Sequence, residues 1–155
     1  MKQYTLNQDK LNMDLQKFAD EVAGVLSKGT TLSYKKGGTE LTEIAGVKSI
    51  PAIGSDPEKV DVTTLKSERK EYIKGIQDTD NLEFAIVYQG KNFKDIYALV
   101  ESNAAVDWVI TYPDGLKVEF TGQPDFKMDG VEVNSALAFS LVIVVNKAPK
   151  ITPAP

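Results

Sequence analysis

The stretch Val106–Thr121, VDWVITYPDGLKVEFT, decides how this chain folds. Val106, Trp108, Ile110 and Tyr112 alternate with Asp107, Val109 and Thr111. After Pro113-Asp114-Gly115, Leu116, Val118 and Phe120 alternate with Lys117, Glu119 and Thr121. A two-residue period places one set of side chains on each face of a strand. Proline presets the first turn position and glycine accepts the left-handed one. The two runs are therefore predicted to form an antiparallel hairpin with Trp108 in the core.

The same texture extends outward. Asn81–Tyr88 reads as a strand, with Leu82, Phe84, Ile86 and Tyr88 on one face. Asn92 is predicted to cap a helix ending near Asn103, with Asp95 at its third position and a stripe of Phe93, Ile96, Tyr97 and Val100. Upstream, Thr30–Lys35 and Thr39–Ile44 flank Lys36-Gly37-Gly38, a hairpin signal. Leu11, Leu15, Phe18, Val22 and Leu26 recur at helical spacing, predicting an amphipathic helix over Leu11–Leu26. Downstream, Ser135–Asn146 is a strand that is apolar or small on both faces, so both faces are expected to be covered. Lys147–Pro155, with three prolines, reads as an exposed terminus or linker.

Between these runs lies Ile44–Asp78, the least regular part of the chain. It breaks at Pro51 and Gly54, turns through Ser55-Asp56-Pro57, and alternates again at Val60, Val62 and Thr64. A mixed-charge segment follows, and Tyr72, Ile73 and Ile76 form an apolar anchor at its end. Two strand-like arms joined by a turn are expected. An excursion of this kind in a compact domain is functional or disordered, and its alternation speaks against disorder.

Composition narrows the chemistry. The chain has 155 residues, enough for one well-packed domain, and no apolar run of membrane-spanning length. No apolar segment behind a basic start marks a secretory signal. Cysteine and histidine are both absent, which excludes disulfides, thiolate chemistry and the commonest acid/base and metal-ligating group. The net charge of −4 carries no footprint for nucleic-acid binding. Loose acidic pairs such as Glu40 and Glu43, Asp56 and Glu58, or Asp78 and Asp80 lack the spaced ligand series of a calcium loop. Ser67-Glu68-Arg69-Lys70 matches a Ser-x-x-Lys spacing, but nothing desolvates that lysine to make it a base. The expectation is no catalysis, no cofactor and no metal.

The order of features across Gly29–Asn146 resembles the tail tube (major tail) proteins of long-tailed bacteriophages. The resemblance is carried by Gly-Thr-Thr-Leu at Gly29, Leu-Thr-Glu-Ile-Ala-Gly at Leu41 and Ser-Ile-Pro-Ala-Ile at Ser49. It continues through Asp56-Pro57-Glu58, Val-Thr-Thr-Leu, and Tyr72-Ile73 with Gly75-Ile76. It implies a mainly β fold: an antiparallel sandwich or barrel with one flanking helix, here with the amino-terminal amphipathic helix added. It divides the chain into a helical extension (1–28), a tube-like β domain (29–146) and a proline-rich tail (147–155). It implies hexameric rings of this chain stacked into a hollow tube, through which DNA passes without sequence-specific binding. A tape measure protein and a tail terminator would be partners, in the virion tail and, during assembly, in the host cytoplasm, with no membrane anchor. The excursion 54–76 would then touch neighbouring copies through Asp56, Glu58, Lys59, Lys66, Arg69, Tyr72, Ile73 and Ile76. A monomeric β-sandwich binding carbohydrate or a host surface is the competing expectation; it requires a patch of exposed aromatics.

Overall fold

A computed structural model describes residues 24–54, 56–76 and 80–155. The elements in order are β1 (Thr31–Lys35), β2 (Leu41–Glu43), β3 (Val47–Ser49), β4 (Lys59–Asp61), β5 (Tyr72–Lys74) and β6 (Leu82–Val87). They are followed by α1 (Lys91–Glu101), β7 (Val106–Thr111), β8 (Lys117–Met128), β9 (Ala138–Val145) and β10 (Lys150–Thr152). The fold is mainly β and antiparallel, with one helix among the described residues. The expected helix over Leu11–Leu26 falls mostly outside those residues; Gly24, Val25 and Leu26 at its end have no regular structure.

The main sheet runs in the order β2-β1-β7-β8-β9-β6-β3, with β10 added beside β8. Laid flat, six spacings would put β2 and β3 about 29 Å apart. They are consecutive in the chain, and the link Ile44-Ala45-Gly46 reaches no more than about 14 Å. The sheet must therefore roll until its ends meet. The link is bonded to both ends: Ile44 N–H donates to the Leu32 carbonyl at 2.8 Å, and Val87 N–H donates to the Gly46 carbonyl at 2.8 Å. Gly46 sits at φ +83°, and a β-carbon there would lie 2.9 Å from the Val87 carbonyl oxygen. Both the turn and the close approach require glycine.

The inside of the roll is the core. Leu32, Phe84, Ile86, Ile96, Trp108, Ile110, Phe139, Leu141 and Ile143 are fully buried. The rings of Phe84 and Phe120 stack at 6.4 Å although β9 lies between their strands, because the sheet curls over its own inner face. The β7–β8 hairpin forms in the expected register, Trp108 opposite Phe120 and Ile110 opposite Val118. The indole N–H of Trp108 donates to the Gly122 carbonyl at 3.2 Å.

Four expectations need correction. Gly90, at φ +72°, precedes the first turn of α1, so Asn92 does not cap the helix and Asp95 lies beyond its first turn. Asn92 instead faces inward, donating to the carbonyls of Ala45 (2.8 Å) and Val87 (2.9 Å) and accepting from Gln89 N–H (3.0 Å). It thus pins the helix to the middle of the link that closes the roll. The helix buries Ile96 and Leu99, with Phe93 and Val100 at its flanks and Tyr97 left half exposed.

β8 also runs on to Met128 through Pro124. Proline is tolerated there because the ladder to β7 ends at Gly122, so only β9 pairs beyond it. The second face of β9 is partly open: Ser140 is buried and donates to Asp129 Oδ1 at 3.0 Å, but Val144 is exposed. Finally, Lys150–Thr152 in the tail adds a short exposed strand to β8, where the expectation was a free terminus.

Candidate assembly surface

The two arms of the Ile44–Asp78 stretch do not pair with each other. β3 joins β6 in the rolled sheet, whereas β4 turns back onto β5. β4 and β5 form a separate two-stranded sheet, with Lys59 opposite Lys74, Val60 opposite Ile73 and Asp61 opposite Tyr72. Bonds from Gly75 N–H to the Glu58 carbonyl (2.7 Å) and from Val62 N–H to the Glu71 carbonyl (2.9 Å) lengthen the ladder at both ends. Gly75 permits this approach: a β-carbon there would meet the Glu58 carbonyl oxygen and Val60 Cγ2, each at 3.0 Å.

The tip of the hairpin is closed by short polar side chains. Asp61 Oδ1 accepts from Thr63 N–H at 2.9 Å, Glu71 N–H donates to Thr63 Oγ1 at 3.0 Å, and Thr64 N–H donates to Ser67 Oγ at 3.2 Å. Hydrogen bonds from Thr63, side chain first and then backbone, hold the Asp61 carboxyl below its ordinary value. These local bonds give the excursion a shape of its own.

All eight residues expected to touch neighbouring copies are on this projection, and all are exposed. Asp56 and Glu58 lie before β4, Lys66 and Arg69 at the tip, and Ile76 past β5. The register separates the rest. Lys59 and Tyr72 share a face with Asp61 and Lys74, while Ile73 points to the other face with Val60. Alternation puts Val62 on that second face too, so the apolar stripe is Val60, Val62 and Ile73. The expected set omitted both valines. Their period-two spacing was the available signal.

The described residues leave this stripe exposed. Ile73 is 54% exposed and Ile76 83% exposed, and Leu65 at the tip is fully exposed. The five basic and five acidic side chains between Asp56 and Lys74 are likewise unpaired with any described residue. Lys35–Glu119, at 3.5 Å, is the one ion pair among the described residues.

Other features offer less. Burial, followed by the charge of Asp95, pushes the Tyr34 phenol above its ordinary value, and a hydrogen bond to Glu101 does the same for Tyr97. Among the described residues no cluster of three or more acidic side chains is placed to hold a metal. Phe84, Trp108, Phe120 and Phe139 are buried and Tyr112 is half-buried. They cannot serve as the exposed platform that a sugar-binding sandwich requires. No described helix is long and apolar enough to cross a membrane.

A family model described as phage tail tube, lambda-like, matches residues 23–142. Solved structures share the fold. The tail of an empty gene transfer agent particle, refined helically with C6 symmetry, superposes with a TM-score of 0.67 at 18% identity, covering 84% of this chain and 100% of that one. The virion of a native gene transfer agent gives 0.65 at 18% identity, over 84% and 100%. The sixfold-symmetrised baseplate of the anti-feeding prophage gives 0.67 at 10% identity, over 84% and 97%. No curated protein matches the chain.

Proposed function

This chain belongs to the lambda-like phage tail tube family, and from that premise we propose that it polymerises as hexameric rings stacked into the hollow tube of the virion tail. The observation that carries this reading is the β4–β5 hairpin, a formed element whose apolar face and charges have no described partner within one chain. Burying such a face between copies is favourable at about 25 cal/mol per Å² of apolar surface. The sixfold symmetry of the structurally similar particles supports six copies per ring.

The role is structural rather than catalytic, and the protein requires no cofactor or metal. DNA passes through the tube without being bound in a sequence-specific way. A chain of net charge −4 suits that task, since adhesion to DNA comes from cations neutralising phosphates. By family resemblance, a tape measure protein sets the length of the tube, a terminator closes it, and assembly takes place in the host cytoplasm. Residues 29–146 form the tube domain, and residues 54–76 carry contacts between copies.

Negative-stain microscopy of the purified protein at increasing concentration tests this reading. Tubes or sixfold rings are the expected result. A monodisperse monomer at every concentration, unchanged by preformed tube seeds, would overturn it.

A further inference from the structure

Identical copies related by a rotation about a ring axis meet through two different patches, one offered and one receiving. The chemistry of the offered patch restricts the receiving one. Alternation along β4 and β5 puts Glu58 and Glu71 on the same face as Val60, Val62 and Ile73, while Lys59 and Lys74 point the other way. The geometry at Gly75 agrees, since a β-carbon there would meet Val60 Cγ2 at 3.0 Å and Glu58 Cβ at 3.3 Å. The hairpin therefore offers an apolar stripe with a carboxylate at each end, and the paired part of that face carries no cation. Burying those carboxylates is costly unless cations meet them. Resting on the proposed tube assembly, we infer that this face docks into the cleft beside β3 of the next copy, where Lys28 and Lys48 meet Glu58 and Glu71.

That cleft, of about 500 Å³, is walled by the turn 27–30, by β3 with the two residues after it, and by Tyr112. Val47, Ile50, Pro51 and Tyr112 give it apolar lining, and each is part-exposed. Lys28 and Lys48 line it too and are exposed, and none of its lining residues is acidic. Neither lysine pairs with a described carboxylate. Local backbone structure places both. The Ser27 carbonyl accepts from Thr30 N–H at 3.2 Å and from Thr30 Oγ1 at 2.7 Å, closing the turn that carries Lys28. In β3, Val47 opposes Ile86 and Ser49 opposes Ala85, so Lys48 sits in a bulge. Bulges re-aim a side chain from the plain strand direction.

Other exposed apolar surface fits less well. Val131 and Val133 stand beside Asp129 and Glu132, which would repel the carboxylates of the hairpin. The cleft at Lys147 and Lys150 also contains Asp107 and Glu119, and Lys35 there is already paired with Glu119. An apolar stripe bearing two carboxylates thus matches an apolar cleft bearing two lysines and no acid.

A charge-swap experiment tests the inference. One variant carries Lys28→Glu and Lys48→Glu, the other Glu58→Lys and Glu71→Lys. All four positions are exposed, so both variants should unfold at the temperature of the unmodified protein. Each alone sets like charges against each other and should lose tubes. Mixed in equal amounts they should regain them, alternating around the proposed hexamer, and a chain carrying all four changes should regain them too. Tubes formed by either variant alone would overturn the inference. So would the absence of tubes from the mixture or from the four-change chain. A lower unfolding temperature for the Lys28→Glu/Lys48→Glu variant would mean that the cleft is covered by its own chain, and would overturn the inference as well.

A second measurement does not depend on those variants. The chain has no cysteine, so copies carrying Ile73→Cys mixed with copies carrying Ser49→Cys can cross-link only through the introduced thiols. Tubes should yield the Ile73–Ser49 pairing above either self-pairing. If tubes form without it, this inference fails and the tube reading stands. If the unmodified protein forms neither tubes nor rings, both fall.

Discussion

The molecule contains two hairpins with the same alternating pattern and opposite fates. In β7–β8, Trp108 and Ile110 are fully buried and the strands sit in the middle of the sheet. In β4–β5, Val60 and Ile73 occupy the equivalent apolar face, and both are exposed. Local pattern dictates a strand in each case, because period-two apolar residues require one covered face. What covers that face is set by the rest of the chain for the first hairpin. For the second, the described residues leave the face exposed. An apolar strand face left open in this way is what the proposed contact between copies would cover.

Removing the indole should break the first hairpin most severely. Trp108→Ala takes out the largest fully buried side chain and the bond to the Gly122 carbonyl. A loss of about 3–5 kcal/mol is expected, a large part of the stability of a domain this size. Thermal or denaturant unfolding measures it.

Asn92→Ala should rank next. It leaves the Ala45 and Val87 carbonyls and the Gln89 N–H without their side-chain partner in a part-buried site. The expected cost is about 1–3 kcal/mol, read from the same unfolding curves. Asn92→Asp should rescue only the Gln89 bond, since a carboxylate cannot donate to the two carbonyls.

The second hairpin should respond in the opposite way. Ile73→Asp, on an exposed strand outside the rolled sheet, should change stability by no more than about 0.5 kcal/mol while abolishing tube formation under the microscope. A fall in unfolding temperature comparable to that of Asn92→Ala would mean the hairpin belongs to the fold. Tubes formed normally would mean the apolar stripe is not where copies meet.

The smallest effect is the most local. Bonds from Thr63 lower the Asp61 carboxyl, so the turn they stabilise is fully formed above the ordinary value of 3.8 and lost as pH falls through the lowered one. The Thr63 amide resonance should shift over that acid range while the Trp108 indole signal stays in place. Asp61→Asn should remove the titration.

Much of the rolled sheet was legible in the residues. Alternation alone placed the β1–β2 pair, β6, the β7–β8 pair and β9 within a few positions of where they are. It did not reveal pairing partners. β3 and β4 follow one another around a proline-rich turn, and nothing local says that they join different sheets. The alternating run was followed only to Thr121, yet β8 continues through Gly122 and Pro124, because its ladder to β7 stops at Gly122 and only β9 pairs beyond it. Asn92 has the chemistry of a cap, and its tertiary use became visible only once Ala45 and Val87 were brought beside it. The exposed stripe was anticipated at Ile73 and missed at Val60 and Val62, which alternation alone could equally have assigned to a core.

The three-residue link at Ile44-Ala45-Gly46 has a mechanical consequence. A ribbon with free edges fails by peeling, with the load concentrated on one end bond at a time. Here a pull on the β2 edge is carried by covalent chain to β3, and the Asn92 side chain clamps the midpoint of that chain to α1. Neither edge can start to peel without straining the other. A wall built of such units would yield first at the seams between them, and each unit would keep its shape after the seam had opened.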